Sequence, residues 1–138
     1  MIAYVDSSVL LRVVLGQRGA LREWKDLTQT VASALVEVEC LRTLDRLRVS
    51  QALADRVIAE RRAVVYQLLE SMDVVDISYP VLARAAQPLP TALGTLDAIH
   101  LATALLWKEN SGQELSMATH DVALSIAAKA SGLRVIGG

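Results

Sequence analysis

The stretch from Leu96 to Trp107 constrains the fold more than any other part of the chain. On a helical wheel its apolar residues point in every direction, and only Asp97, His100 and Thr103 are polar. A helix that is hydrophobic on all sides belongs in the core of a protein. An unpaired ionised carboxylate there costs on the order of several kcal/mol. Asp97 therefore needs a cation, a set of N–H donors or an opening to water.

A purely structural explanation of Asp97 is also open. If Thr95 is the N-cap, Asp97 lies in the first turn of the helix. An acidic side chain at that place interacts favourably with the positive end of the helix dipole. This stretch alone does not decide between a structural and a functional role for the carboxylate.

Composition predicts a single domain spanning residues 1–138. A chain of 138 residues buries roughly two thirds of its unfolded surface. Hydrophobic residues make up 53% of the chain, which suggests that a partner chain covers some apolar surface. The net charge of −1 gives no general attraction to nucleic acid, so any such contact requires local basic patches.

The location predicted from the sequence is the cytoplasm, without membrane contact. The single Cys40 cannot form an intramolecular disulfide, and we expect it to be a buried apolar side chain. The N-terminal residues MIAYVDSS lack a basic n-region. No apolar run approaches the ~20 residues that span a bilayer.

Strand-like and helix-like segments alternate along the chain. Strands are predicted at 2–5, 30–33, 74–77, 115–119 and 133–136, and helices at 8–15, 20–27, 34–48, 51–72 (with Ser50 as N-cap), 80–87, 96–107 and 121–131. This alternation predicts an α/β three-layer sandwich, with a central, mostly parallel five-stranded sheet flanked by helices.

Acidic residues follow two of these strands. Asp6 lies directly after the first strand, Asp121 after the fourth, and Asp97 in the helix that leads to the fourth. In an open parallel sheet, ligands bind beyond the carboxyl ends of the strands. Each aspartate alone is explained equally well as a helix N-cap, but three coincident caps are less persuasive. The pattern favours an acidic site at this edge.

Glu39 is a fourth candidate, in the helix after the second strand. A structural alternative is an i,i+3 ion pair with Arg42 on a solvated face. Glu37 competes for the role, but at ~100° per residue it lies about 160° away from Glu39 around the helix. Only one of the two can face the site, and spacing leaves the choice open.

Oxygen ligands from several carboxylates, without cysteine, suit Mg²⁺ or Mn²⁺ better than Zn²⁺. A zinc site built from His100, His120 and nearby aspartates is an alternative that spacing supports only weakly. We expect His100 to be a packed or hydrogen-bonding residue near the site and His120 to lie on a surface loop.

Four stretches carry a family resemblance across nearly the whole chain. They are YVDSSVLLR, SALVEVECLRTL, LGTLDAIHLATAL and MATHDVALSIAAKASGLRVI. Together they resemble the PIN-domain ribonucleases, and in particular the VapC-type toxins of bacterial toxin–antitoxin pairs. The resemblance implies a Mg²⁺- or Mn²⁺-dependent endoribonuclease. It also implies that the catalytic and metal-binding carboxylates are Asp6, Glu39, Asp97 and Asp121. Glu39 is selected over Glu37 because the family's glutamate stands three residues before an arginine, as Glu39 does before Arg42.

Further expectations concern substrate and partners. The hydroxyl of Thr119 or Ser7 would position metal or phosphate, and basic residues could frame the pocket and contact RNA phosphates. These basic residues are Arg12, Arg18, Arg22, Lys25, Arg42 and Arg46.

The resemblance implies a homodimer and a cognate antitoxin, for which we expect a groove between the helix at 8–15 and those at 34–72. The alternative is a non-catalytic α/β module that binds RNA or protein.

Overall fold

The computed structural model describes residues 1–138 as five strands and six α-helices, with one 3-10 turn at Arg22–Asp26. The strands are β1 (Ile2–Val5), β2 (Gln29–Ser33), β3 (Asp73–Val75), β4 (Ser116–Ala118) and β5 (Arg134–Ile136). The helices are α1 (Ser7–Val14), α2 (Leu35–Ser50), α3 (Asp55–Glu70), α4 (Tyr79–Ala85), α5 (Thr95–Ser111) and α6 (Val122–Ala130).

All five strands are parallel, in the order β3-β2-β1-β4-β5. β1 lies at the centre, where Tyr4 pairs with Val31 of β2 and with Met117 of β4. The carboxyl ends of β1 and β4 therefore meet at one edge of the sheet. The predicted α/β architecture is confirmed.

The two faces of the sheet carry separate parts of the core. Ala3 and Val5 belong to a cluster that includes residues of α1, α2 and α3. Tyr4, which points to the opposite face, belongs to a cluster with residues of α5 and α6. Residues 98–104 of α5 are all buried, so the predicted core helix is confirmed and the layers number three.

Two predicted helix caps are wrong. Ser50 is the last residue of α2, because this helix continues two residues beyond its predicted end; α3 starts only at Asp55, after a turn in which Ala52 has φ +48°. Thr95 is the first residue of α5 rather than its N-cap. Gly94 precedes the helix, and its carbonyl accepts a hydrogen bond from the Ala98 amide at 2.9 Å.

The segment predicted as a short helix at 20–27 forms only the 3-10 turn. It follows Gly16 and Gly19, both of which have positive φ and interrupt helical geometry before it. Elsewhere, element boundaries differ from the prediction by a few residues. No helix of this chain combines the length and apolar character needed to cross a membrane.

Candidate functional site

Asp6 is a buried carboxylate held on both of its oxygens. It follows β1 and caps α1, since its Oδ1 accepts from the Val9 amide at 3.2 Å and from the Ser8 hydroxyl at 2.6 Å. Its Oδ2 accepts from the Thr119 hydroxyl at 2.5 Å. Although only 3% of Asp6 is exposed, these three donors give both of its oxygens a hydrogen-bond partner.

Two hydroxyl groups link Asp6 to the backbone of His120 and Asp121. Thr119 Oγ1 accepts from the Asp121 amide at 3.0 Å while donating to Asp6, and Ser8 Oγ accepts from the His120 amide at 2.9 Å. The Asp121 side chain caps α6, with its Oδ1 accepting from the Leu124 amide at 2.8 Å. The structural explanation of these two aspartates as caps is therefore correct, and it is compatible with their place at the sheet edge.

Sequence reasoning missed Ser8 and chose Ser7 as the serine near the acids. Ser7 lies in a neighbouring cleft, whereas Ser8 contacts Asp6 directly. The available signal was the Asp-x-Ser spacing, which lets a hydroxyl two residues after an N-cap reach its carboxylate. Thr119 is fully buried, so its hydroxyl holds Asp6 and the Asp121 backbone.

Glu39 faces the interior and contacts a histidine rather than an arginine. Its Oε1 lies 2.6 Å from His100 Nε2, and the Glu39 side chain is 20% exposed. Arg42 instead pairs with Asp45 at 3.2 Å, so the Glu39–Arg42 ion pair considered as an alternative is wrong. Glu37 is exposed to solvent.

His100 is packed and hydrogen-bonded, as predicted. Its Nδ1 lies 2.6 Å from the Tyr4 hydroxyl, and the two rings meet edge to face. Burial, and then the charge of Asp6, raises the pKa of the Tyr4 hydroxyl above its ordinary value. Tyr4 therefore stays a hydrogen-bond donor at neutral pH.

Asp97 is half-buried at the start of α5. Burial raises the pKa of its carboxyl above the ordinary value, and the charge of Asp121 raises it further; the charges of Asp6 and then Glu39 add smaller increases. The four predicted carboxylates are therefore close enough for their charges to interact. The negative charge of Asp97 therefore costs the folded protein free energy.

These carboxylates do not yet form a closed coordination site. No three His, Cys, Asp or Glu side chains stand in a group that could hold a metal ion as they are placed here. Both ring nitrogens of His100 are engaged, so it offers no lone pair to zinc. His120 lies in the loop between β4 and α6, as expected, but it is only partly exposed: its Nδ1 lies 2.8 Å from the Gly137 carbonyl and its Nε2 is buried without a partner.

Five of the substrate-binding candidates line two separate clefts. A cleft of about 420 Å³ lies beside Glu39. It is lined by Ser7, Leu35, Val38, Glu39, Arg42, Thr43, Arg46 and Leu96. Arg12 lines a different cleft with Arg22 and His120, and its guanidinium donates to the Gly19 carbonyl at 3.1 Å. The structure thus places Ser7 and Arg42 beside Glu39 and separates Arg12 from them.

The largest cavity, about 620 Å³, is not the acidic site. It lies between α4, the loop at 87–93 and the start of α5, and its lining contains no carboxylate. Its walls are mostly apolar. The largest cavity and the cluster of ionisable groups therefore lie in different places.

The fold and the site together define the class: an α/β protein whose parallel sheet carries a group of carboxylates beyond its central strands. The family model for the PIN domain matches residues 3–129. Ribonuclease VapC46 of Mycobacterium tuberculosis (strain ATCC 25618 / H37Rv) is 34% identical over 137 residues, covering 96% of this chain and 95% of that relative. The chain belongs to the PIN-domain family.

Solved structures show the same fold. The structure of FitAB bound to an IR36 DNA fragment matches with a TM-score of 0.69 at 19% identity, over 98% of this chain and 93% of the matched chain. VapBC2 from Rickettsia felis, bound to a DNA fragment from its promoter, matches with a TM-score of 0.66 at 11% identity, over 98% and 97% of the two chains. At these identities the likeness concerns the fold alone.

Proposed function

We propose that this protein is a divalent-metal-dependent endoribonuclease that acts as the toxin of a toxin–antitoxin pair. The observation that carries the proposal is the placement of Asp6 and Asp121 beyond the carboxyl ends of β1 and β4, joined through the Thr119 hydroxyl, with Asp97 in the first turn of α5 and Glu39 in α2. The relationship to a protein named as a ribonuclease, at 34% identity over 96% of the chain, supports RNA as the substrate.

The donor set fits a hard divalent cation. All four groups offer carboxylate oxygens, and the one cysteine is buried elsewhere in α2, which suits Mg²⁺ or Mn²⁺. The raised pKa of Asp97 has burial and like charges as its main causes. Both of these costs are relieved when a cation lies among the carboxylates.

Asp6, Asp97 and Asp121 are the residues that would hold the cation, with Glu39 beside them. A bound Mg²⁺ or Mn²⁺ lowers the pKa of water and neutralises charge that develops on a phosphodiester. The residues of the chain supply the placement: Thr119 and Ser8 hold Asp6, and the Leu124 amide holds Asp121. Rigid placement of this kind is what positional catalysis requires.

RNA reaches the acids through the cleft beside Glu39. Arg42 and Arg46 line this cleft and extend from the same helix as Glu39, so their guanidinium groups can bind backbone phosphates next to the cleavage point. Their contribution is local, which is consistent with the net charge of −1 for the whole chain.

The proposed antitoxin covers the apolar part of the same region. Val38 and Leu96 line the cleft and are each 51% exposed, so together they offer apolar surface beside Glu39. Tyr79 and Leu82 of α4 are exposed as well, and we propose that this second surface is covered in a homodimer.

The experiment is cleavage of a labelled single-stranded RNA by the purified protein in Mg²⁺, in Mn²⁺ and in EDTA. We expect internal cleavage with either metal and none in EDTA. Glu39→Gln should abolish cleavage, whereas Glu37→Gln, which makes the same charge change on the exposed side of α2, should not. Folded protein that binds RNA without cleaving it in either metal would identify a non-catalytic binding module instead.

A further inference from the structure

His100 joins three elements of the fold by two short hydrogen bonds. Its Nδ1 lies 2.6 Å from the hydroxyl of Tyr4 in β1, and its Nε2 lies 2.6 Å from Oε1 of Glu39 in α2. His100 itself belongs to α5 and is 1% exposed. The Tyr4–His100–Glu39 chain therefore ties together the elements that carry Asp6, Asp97 and Glu39.

The carboxylate end of this chain fixes the direction of one bond. A carboxylate oxygen only accepts hydrogen bonds, so the His100 Nε2–H donates to Glu39. In a neutral imidazole this is the only ring proton, and the Nδ1 lone pair then accepts from the Tyr4 hydroxyl. Buried side-chain atoms without a partner occur only at Thr91 and His120, so the chain is complete, and its two bonds polarise each other in one direction.

Glu39 depends on this support more than Asp6 and Asp121 depend on any one donor. Asp6 receives three donors and Asp121 receives a backbone amide. Glu39 has the longer side chain, with more rotatable bonds to order, and its contact is the one with His100. His100 also lies one helical turn after Asp97, so the same segment of α5 positions two carboxylates.

We infer that His100 is a positioning residue, which orients the Glu39 carboxylate toward the cation, and that Tyr4 selects the ring tautomer that allows it to do so. The inference rests on the proposed metal-dependent function, and the two hydrogen bonds of His100 support the role that it assigns. His100 touches neither RNA nor the ion. It acts through Glu39, as residues that hold a ligand carboxylate do in other metal sites.

The test is a double-mutant cycle read out as Mn²⁺ affinity, measured by calorimetry without RNA. We expect His100→Leu to weaken Mn²⁺ binding about 10- to 100-fold in the parent protein. In a Glu39→Gln background the same change should cost nothing further, since the group that it positions has lost its charge. An equal loss in both backgrounds, or no loss in either, would overturn the inference.

A milder variant separates loss of positioning from misfolding. Tyr4→Phe removes one hydroxyl and leaves the ring packing, and it should weaken Mn²⁺ binding less than His100→Leu, again only when Glu39 is present. Leu101→Met, a volume-conserving change at the next buried position of α5, should leave the affinity unchanged. Equal losses for Tyr4→Phe with and without Glu39 would count against a positioning role.

Nitrogen NMR of the metal-free protein gives an independent reading. The His100 ring should carry its proton on Nε2, and an Nδ1–H tautomer would contradict the inference.

If the protein binds Mn²⁺ and shows the coupling but cleaves no RNA, the proposed function fails while the positioning role stands. If it cleaves RNA in Mn²⁺ without the coupling, only the positioning role fails. Absence of Mn²⁺ binding by the parent protein would overturn both.

Discussion

The carboxylates in the two halves of the acidic site differ in how their charges are stabilised. In the strand-end half, Asp6 and Asp121 accept hydrogen bonds from hydroxyl groups and helix amides. In the helix half, Asp97 faces burial and three like charges, and Glu39 is held by a single histidine. The first half stabilises its charges with the protein's own donors, and the second leaves a charge unstabilised.

This difference separates the part of the pocket that belongs to the fold from the part that depends on a ligand. Carboxylates that cap helices contribute to stability whether or not a cation is bound. A half-buried carboxylate beside other carboxylates costs stability until a cation compensates it. Damage to the strand-end half should therefore reduce stability, whereas removal of charge from the helix half should increase it in the metal-free protein.

The largest expected effect comes from breaking the strand-end half at Thr119. Thr119→Val keeps the shape but deprives Asp6 Oδ2 of its donor and the Asp121 amide of its acceptor. Because the site is fully buried, we expect a loss of about 1–3 kcal/mol in the free energy of unfolding, measured by urea denaturation. Ser7→Ala, a nearby hydroxyl outside this network, should change it by less than about 0.5 kcal/mol. Equal effects would show that the network adds no stability.

Asp97→Asn tests the helix half, with the opposite sign. The pKa of Asp97 is raised in the folded protein, so the folded state holds this proton more tightly than the unfolded chain does. Metal-free stability therefore falls as pH rises from the ordinary pKa through the raised one, and the penalty persists above it. Asparagine carries no such charge, so the metal-free variant should melt at a higher temperature than the parent at pH 7 and at the same temperature at low pH.

Mg²⁺ should reverse this order. A cation bound by the folded protein adds stability according to its affinity, and the parent protein binds it with one more carboxylate than the variant. We expect the melting temperature of the parent to rise strongly with Mg²⁺ at pH 7 and that of Asp97→Asn to rise little. A variant that gained as much as the parent would remove Asp97 from the cation site.

The fold was predictable because its pattern is local. The all-round apolar character of α5 and the alternation of strands with helices each depend on residues near in sequence. The boundary between α2 and α3 was not predictable in this way. Its turn passes through Ala52 at φ +48°, a position where the sequence has neither glycine nor proline to mark a break.

The site was predictable to the extent that its residues follow strands. Asp6 and Asp121 were found from their places after β1 and β4, and resemblance to a family selected Glu39 over Glu37. The partner of Glu39 was not predictable, because His100 is 61 positions away along the chain and meets it only through the packing of α5 against the sheet and α2. Arg42, the neighbour suggested by helical spacing, pairs with Asp45.

The smallest expected effect uses Cys40 as a reporter of the helix half. Burial raises the pKa of the Cys40 thiol to about 12, and the charges of Glu39 and then Asp6 contribute. The native thiol should therefore resist labelling by a disulfide reagent at pH 8. Glu39→Gln should lower this pKa slightly and speed labelling modestly, whereas Glu37→Gln should not. If both variants label at the parent's rate, burial alone protects the thiol and the charge of Glu39 does not reach it. A faster rate for Glu39→Gln alone would show that the negative charge of Glu39 disfavours the thiolate of its buried neighbour Cys40.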